Sequence, residues 1–273
     1  MGIATIIGLV LAFGALITGF VLEHGDIMSL FLLSPAVIIF GGTLGALLIS
    51  FSINDVMKMP LLLLRAASAP KMSLQKTIDT ILDLAVKVKR GGILILEQTI
   101  HDPAFEKDND PLLIKGLTLL MDRLDKEVLR EILENDLRIE EQIKHKDISI
   151  FEAAGGFSPS MGIIGTVLGL IQVLANMGTP EELAKSIAVA FIATLYGVCF
   201  ANLVYLPIAS KLKLRMKLER IEKEMIIEGV LAINDFENPT SIRERLLPYL
   251  KFQQGKKAKE AKGEAKEESG GNE

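Results

Sequence analysis

The sequence has no excess of basic charge: 30 lysines and arginines face 34 aspartates and glutamates, a formal net charge of −4. With no surplus cations to neutralise phosphates, nucleic acid is not an expected partner. A single cysteine, Cys199, excludes an intramolecular disulfide and a cysteine-based zinc cluster. Three scattered histidines, His24, His101 and His145, argue against a histidine-rich metal site. No nucleophile–base pair, metal cluster or phosphate loop stands out, and Gly91-Gly92 alone does not make a nucleotide site. The expectation is therefore not an enzyme, with no catalytic residue, no bound metal and no cofactor. The most informative absence is local. Residues 3–22, 30–51, 157–177 and 187–209 contain no Asp, Glu, Lys, Arg or His at all.

Each of these runs has the roughly 20 residues needed to cross about 30 Å of hydrocarbon as a helix. Their concentration accounts for a mean hydropathy of +0.38. The first run is not preceded by basic residues, and Glu23-His24-Gly25-Asp26 follows it where a cleaved leader would have small residues, so it is expected to be retained. Fifteen of the 30 basic residues fall in 52–156 and 14 follow Ala209, against one, Lys185, in the short connections. The bias puts both termini and the large middle segment on the cytoplasmic side.

The middle segment, 52–156, is too long for a structureless loop and reads as helical. Leu74, Ile78, Ile81, Leu82, Ala85 and Val88 recur at helical spacing, with Ser73 as N-cap and Gly91-Gly92 as the stop. A short helix is expected over 93–100, a longer one over 112–135 and another over 137–151. After the fourth run, 211–236 reads as an amphipathic helix that continues the span and packs on the middle segment. Residues 240–252 read as a last helix, within a C-terminal helical region 210–252. Residues 253–273 carry no apolar side chain larger than alanine and are expected to be disordered. No strand pattern occurs. The expected fold class is all-α: a polytopic membrane protein with four transmembrane helices and a helical cytoplasmic domain.

The third and fourth runs carry small residues at helical spacing: Gly162, Thr166 and Gly169 in one, Ala190, Thr194, Gly197 and Ala201 in the other. Such stripes let helices approach closely in a medium that supplies no hydrophobic drive between them. Thr166 and Thr194 then either bond back to their own helices or line an ion path. Ion relays inside membranes use an ionisable side chain, and these runs have none. If the chain conducts ions, another protein must supply the carboxylate. Pro159 and Pro207 read as boundary prolines at a first turn or a bend, or else as hinges.

The run FSPSMGIIGTVLGL from Phe157 to Leu170 resembles the third-span signature of the flagellar motor stator branch of the MotA/TolQ/ExbB superfamily. AVAFIATLYG from Ala188 to Gly197, followed by Asn202 and Leu206-Pro207, resembles its fourth-span signature, and VKRGGILILE from Val88 to Glu97 also matches. The resemblance implies a homo-oligomeric ring, in the family a pentamer, in the bacterial inner membrane. The ring surrounds a MotB-like, peptidoglycan-anchored partner that supplies a membrane Asp. It implies that ions pass Thr166 and Thr194, that Arg90 and Glu97 contact the rotor protein FliG, and that Pro159 and Pro207 couple ion flow to torque. The transported ion is H+ or Na+, and both remain open. The alternative within the superfamily is an ExbB/TolQ-like energising subunit. Outside it, the alternative is a passive membrane scaffold.

Overall fold

The computed structural model describes residues 2–68, 73–175 and 180–251, so the end of the third apolar run and the 253–273 tail lie outside the described residues. Every regular element among the described residues is helical. α1 is Gly2–Leu22. After a 3₁₀ turn at Ile27–Leu30 the chain leaves helical geometry at Phe31 and is extended at Leu32, and α2 then runs over residues 33–50 with a π turn at Val37–Gly41. α3 is Met59–Ala67, α4 Leu74–Gly91, α5 Pro111–Met121 and α6 Lys126–Ala175. α7 covers residues 180–234, with a π turn at Ala201–Tyr205 directly before Pro207, and α8 covers residues 239–251. Ile27–Ser50, Lys126–Ala175 and Ser186–Asn234 are long and apolar enough to cross a membrane; the described apolar part of α1, Ile7–Leu22, is shorter.

The described residues fall into two units, both of which draw on α6 and α7. One takes Met1–Pro70 with Ile143–Met216, the other Lys71–Gln142 with Lys217–Glu273. The second unit has one core. Leu74, Ile78, Ile81 and Val88 of α4 pack with Leu113, Leu117 and Leu120 of α5, Leu129 and Leu133 of α6, Val230 and Leu231 of α7, and Ile242 and Leu246 of α8. Its helix ends follow local chemistry. The Ser73 hydroxyl accepts from the Lys76 N–H at 3.4 Å, and the Asp110 carboxylate accepts from Leu112 N–H at 2.8 Å with Pro111 in the first turn. Gly92, at φ +75°, closes α4 in a conformation that a side chain would strain.

Two expectations are corrected. Residues 112–135 are not one helix: the chain turns at Asp122–Asp125, with Arg123 at φ +53°. Leu117 and Leu120 share a core with Leu129 and Leu133, which one straight helix would not allow. The turn carries no glycine or proline to announce it. Residues 137–151 and the third apolar run are not separate helices either; both belong to the 50-residue α6. Gly155-Gly156 does not interrupt it, because Gly155 serves close packing: a Cβ there would lie 2.6 Å from Leu206 Cδ2.

In the first unit, Leu47 and Val56 pack on Ile150 and Ala154, while Leu62 of α3 packs on Ile148, Phe151, Ile208, Ala209 and Leu212. Leu117→Ala, at a fully buried position, is expected to cost about 2–5 kcal/mol. Arg123→Gly is expected to gain roughly 1 kcal/mol by relieving the left-handed backbone. Thermal unfolding of the purified protein in detergent checks both, and the opposite sign at Arg123 would count against a strained turn.

Candidate functional site

Glycines where α6 meets α7 set the geometry of the site. A Cβ on Gly162 would lie 3.0 Å from the Ala193 carbonyl oxygen, and one on Gly169 would lie 2.7 Å from Ala190 Cβ. A Cβ on Gly165 would lie 2.8 Å from Ala193 Cβ. The closest approach is at Gly197, where a Cβ would fall 2.5 Å from the Ser158 carbonyl oxygen and 3.2 Å from Pro159 Cα. Backbone touches backbone here, so dispersion contacts act along the whole line of contact. The Ser158 hydroxyl, fully buried, donates to the Gly197 carbonyl at 3.0 Å.

At this seam the two threonine hydroxyls meet. Thr166 Oγ1 lies 2.5 Å from Thr194 Oγ1, 2.9 Å from the Ala190 carbonyl across the seam and 3.1 Å from the Gly162 carbonyl of its own helix. Thr194 Oγ1 lies 3.4 Å from the same Gly162 carbonyl. Each hydroxyl has one proton to give. The arrangement that uses the shortest contacts has Thr166 donating to Ala190 and Thr194 donating to Thr166. Both protons are then spent, and Thr194 Oγ1, only half-buried, keeps its lone pairs. The pair can accept a proton donor or ligate a hard cation; it cannot itself titrate.

Pro159 does not stand at a first turn, which corrects the boundary reading: it lies inside α6. It has no N–H to offer the Gly155 carbonyl. Pro207 follows the Ala201–Tyr205 π turn, whose i→i+5 bonding is seen in the Leu206 N–H reaching the Ala201 carbonyl. Ala201 is buried at the start of that turn. Thus the structure brings Pro159, Gly162, Thr166, Gly169, Ala190, Thr194 and Gly197 to one seam. Arg90 and Glu97 belong to the other unit. Both are exposed on either side of the Gly91-Gly92 turn, and neither has an ion-pair partner among the described residues.

Sequence reasoning missed three groups. Tyr196, two residues past Thr194, donates its phenol proton to the Leu30 carbonyl and accepts from the Leu32 N–H at 3.4 Å. It serves the backbone groups that the extended break before α2 leaves without helical partners, and a lone tyrosine in an apolar run gave no hint of it. Ser158 was hidden in the same way. The third is Asp55, nearly buried, which accepts from the Ser52 hydroxyl and pairs with Lys146 Nζ at 2.5 Å and Lys58 Nζ at 3.4 Å. The Lys146 ammonium, helped by Ser52, holds its carboxyl down to about 2. Ser52-x-x-Asp55 was a visible signal of a helix start; Lys146, far along the chain, was not.

Gly197→Ala is expected to destabilise by about 1–3 kcal/mol through collision with the Ser158 carbonyl, whereas Gly45→Ala, with open space around it, should cost little. Melting temperatures of the two variants side by side check this, and equal effects would contradict a tight seam. Because the folded pKa of Asp55 lies below its ordinary 3.8, its contribution is complete above that value and disappears as pH falls through about 2. Asp55→Asn should therefore lower the melting temperature by a constant amount from pH 5 to 8, and the gap should narrow from pH 4 to 2. A gap that varies across neutral pH would contradict the assignment.

Residues 105–225 match the model of the MotA/TolQ/ExbB proton channel family, and residues 6–92 match that of the motility protein A N-terminal region. Chemotaxis protein PomA of Vibrio alginolyticus is 33% identical over 261 residues, covering 95% of this chain and 99% of that protein. Motility protein A of Bacillus subtilis is 33% identical over 247 residues, 90% of each. Among solved structures, the flagellar MotAB stator complex from Bacillus subtilis is similar with a TM-score of 0.83 and 33% identity, over 92% of this chain and 97% of that one. The C. jejuni MotAB structure has the same TM-score at 25% identity, over 91% and 96%.

Proposed function

The chain belongs to the MotA/TolQ/ExbB proton channel family, and we propose that it is the channel-wall subunit of a flagellar stator, converting ion-motive force into torque. The match over residues 6–92 to the motility protein A N-terminal region favours this over an ExbB/TolQ-like energising role. The observation that carries the reading is a pair of touching hydroxyls on a seam without any ionisable group. A wall of this kind accepts and releases an ion but cannot hold its charge. The titrating carboxylate is then an Asp on a MotB-like membrane partner, in keeping with the MotAB composition of the similar complexes.

In this reading the four apolar runs cross the bacterial inner membrane with both termini cytoplasmic. Several copies, five by the family pattern, form a ring around the anchored partner. An ion carried by the partner Asp passes Thr194 and Thr166, whose oxygens give a proton donor or a sodium ion a place to rest. One charge falling through about 100 mV releases roughly 2.3 kcal/mol, so several such steps per turn drive rotation. Pro159 in the seam and Pro207 beside the π turn are the points where α6 and α7 yield as the ion passes. Arg90 and Glu97, exposed on the other unit, present opposite charges to the rotor protein FliG.

The test is complementation of a stator-deleted strain by this chain with its partner, reading swimming speed against ion concentration. Sodium is exchanged for potassium, with and without a protonophore. Thr194→Val should raise the half-saturating ion concentration about tenfold, the equivalent of losing roughly 1.4 kcal/mol of binding, while Thr194→Ser stays near wild type. Indifference to both substitutions would remove the ion path from this seam. Arg90→Glu should cut motility without lowering the amount of assembled complex. Normal swimming after reversing both Arg90 and Glu97 would dismiss the rotor contact.

A further inference from the structure

We infer that the segment leaving α2 is a membrane-surface anchor, and that the exposed apolar face of α3 docks on the anionic phospholipid headgroup layer of the bilayer that α2 enters. The inference rests on the chain being a membrane protein and holds whether or not the stator reading does.

Leu61 (66%) and Leu64 (70%) are the exposed apolar side chains one turn apart on α3, and the irregular stretch that leads to it from α2 adds Ile49 (89%), Ile53 (62%) and Met57 (72%). In water, five such side chains in so short a segment would form an unusually large apolar patch. The face cannot turn inward to hide. Leu62, on the opposite side of α3, is 5% exposed and fixed in the cluster of Ile148, Phe151, Ile208 and Leu212. The Arg215 guanidinium donates to the Arg65 carbonyl at 2.8 Å and so holds the C-terminal end of the helix.

Charge complementarity selects lipid as the occupant. The segment carries two cations, Arg65 and Lys58, the latter with its side chain 47% exposed although its ammonium lies 3.4 Å from Asp55. Its one carboxylate, Asp55, is turned inward and engaged by Lys146 and Lys58. An exposed apolar face with cations nearby in sequence, on a short helix within ten residues of a membrane-crossing one, has the composition of a helix lying in the interfacial plane. Long basic side chains there keep their stems among the acyl chains and their heads among phosphates.

The sequence has no tryptophan, so one introduced residue is the chain's sole indole reporter. Leu61→Trp and Leu64→Trp are each made in the full chain assembled with its membrane partner. The complexes are reconstituted into phosphatidylethanolamine–phosphatidylglycerol vesicles, with bromine on the acyl chains of one lipid or the other and the unsubstituted complex as background. Brominated lipid should cut the added fluorescence by at least half at both positions, with blue-shifted emission and little quenching by aqueous acrylamide. At equal mole fraction, brominated phosphatidylglycerol should quench more than brominated phosphatidylethanolamine, and Lys58→Gln should reduce that difference. Blue-shifted emission that brominated lipid leaves untouched would overturn the proposal by showing the face covered by protein, such as a second copy of this chain. Red-shifted emission quenched by acrylamide would overturn it by showing the face in water. Equal quenching by the two brominated lipids would overturn the anionic preference.

Discussion

Backbone-to-backbone contact between α6 and α7 is the constraint on which the site depends. At Gly197 and Ser158 the two helices are too close for even a methyl group, and at Gly162 and Gly169 nearly so. In hydrocarbon there is no solvent to squeeze such helices together, so contact must come from close dispersion packing and from the few polar groups available. Ser158 and the threonine pair are those groups, and all sit where the glycines and alanines clear a way. A larger residue on the stripe would move the helices apart and separate the hydroxyls as well. Packing and ion chemistry are thus the same arrangement seen from two sides.

The same economy governs polar groups elsewhere in the first unit. Where α2 begins after an extended break, the Tyr196 phenol takes up the Leu30 carbonyl and the Leu32 N–H. Where α7 approaches Pro207, the helix takes a π turn in which the Leu206 N–H reaches the Ala201 carbonyl. Where the chain leaves α2, Asp55 is neutralised by Lys146 rather than left to face the apolar surface. The break before α2 and the carboxylate after it each find a specific partner, because an unpaired backbone or charged group is costly in a low-dielectric surrounding.

Much of this was legible beforehand. Uncharged runs identified helices long enough to cross a bilayer, because hydrocarbon excludes charge whatever the neighbours are. The cap at Ser73 and the stop at Gly92 were legible because capping is chemistry within a few residues. The turn at Arg123 was not, since it uses a left-handed arginine in place of a glycine and exists to let Leu117 and Leu129 share a core. Pro159 misled for a related reason. A proline at the edge of an apolar run looks like a boundary until the packing around it keeps the helix going on both sides.

Composition and spacing by themselves determined that this chain is helical, that its apolar runs carry no charge, and that small residues and threonines share the same helical stripes. Those are properties of single segments, set by local chemistry and by transfer out of water. Tertiary structure alone decided that Thr166 and Thr194 touch, that Tyr196 reaches back to Leu30, and that Asp55 finds Lys146. Each of these joins residues far apart in the chain, and which partners meet is settled only when whole helices pack, by how closely their surfaces fit.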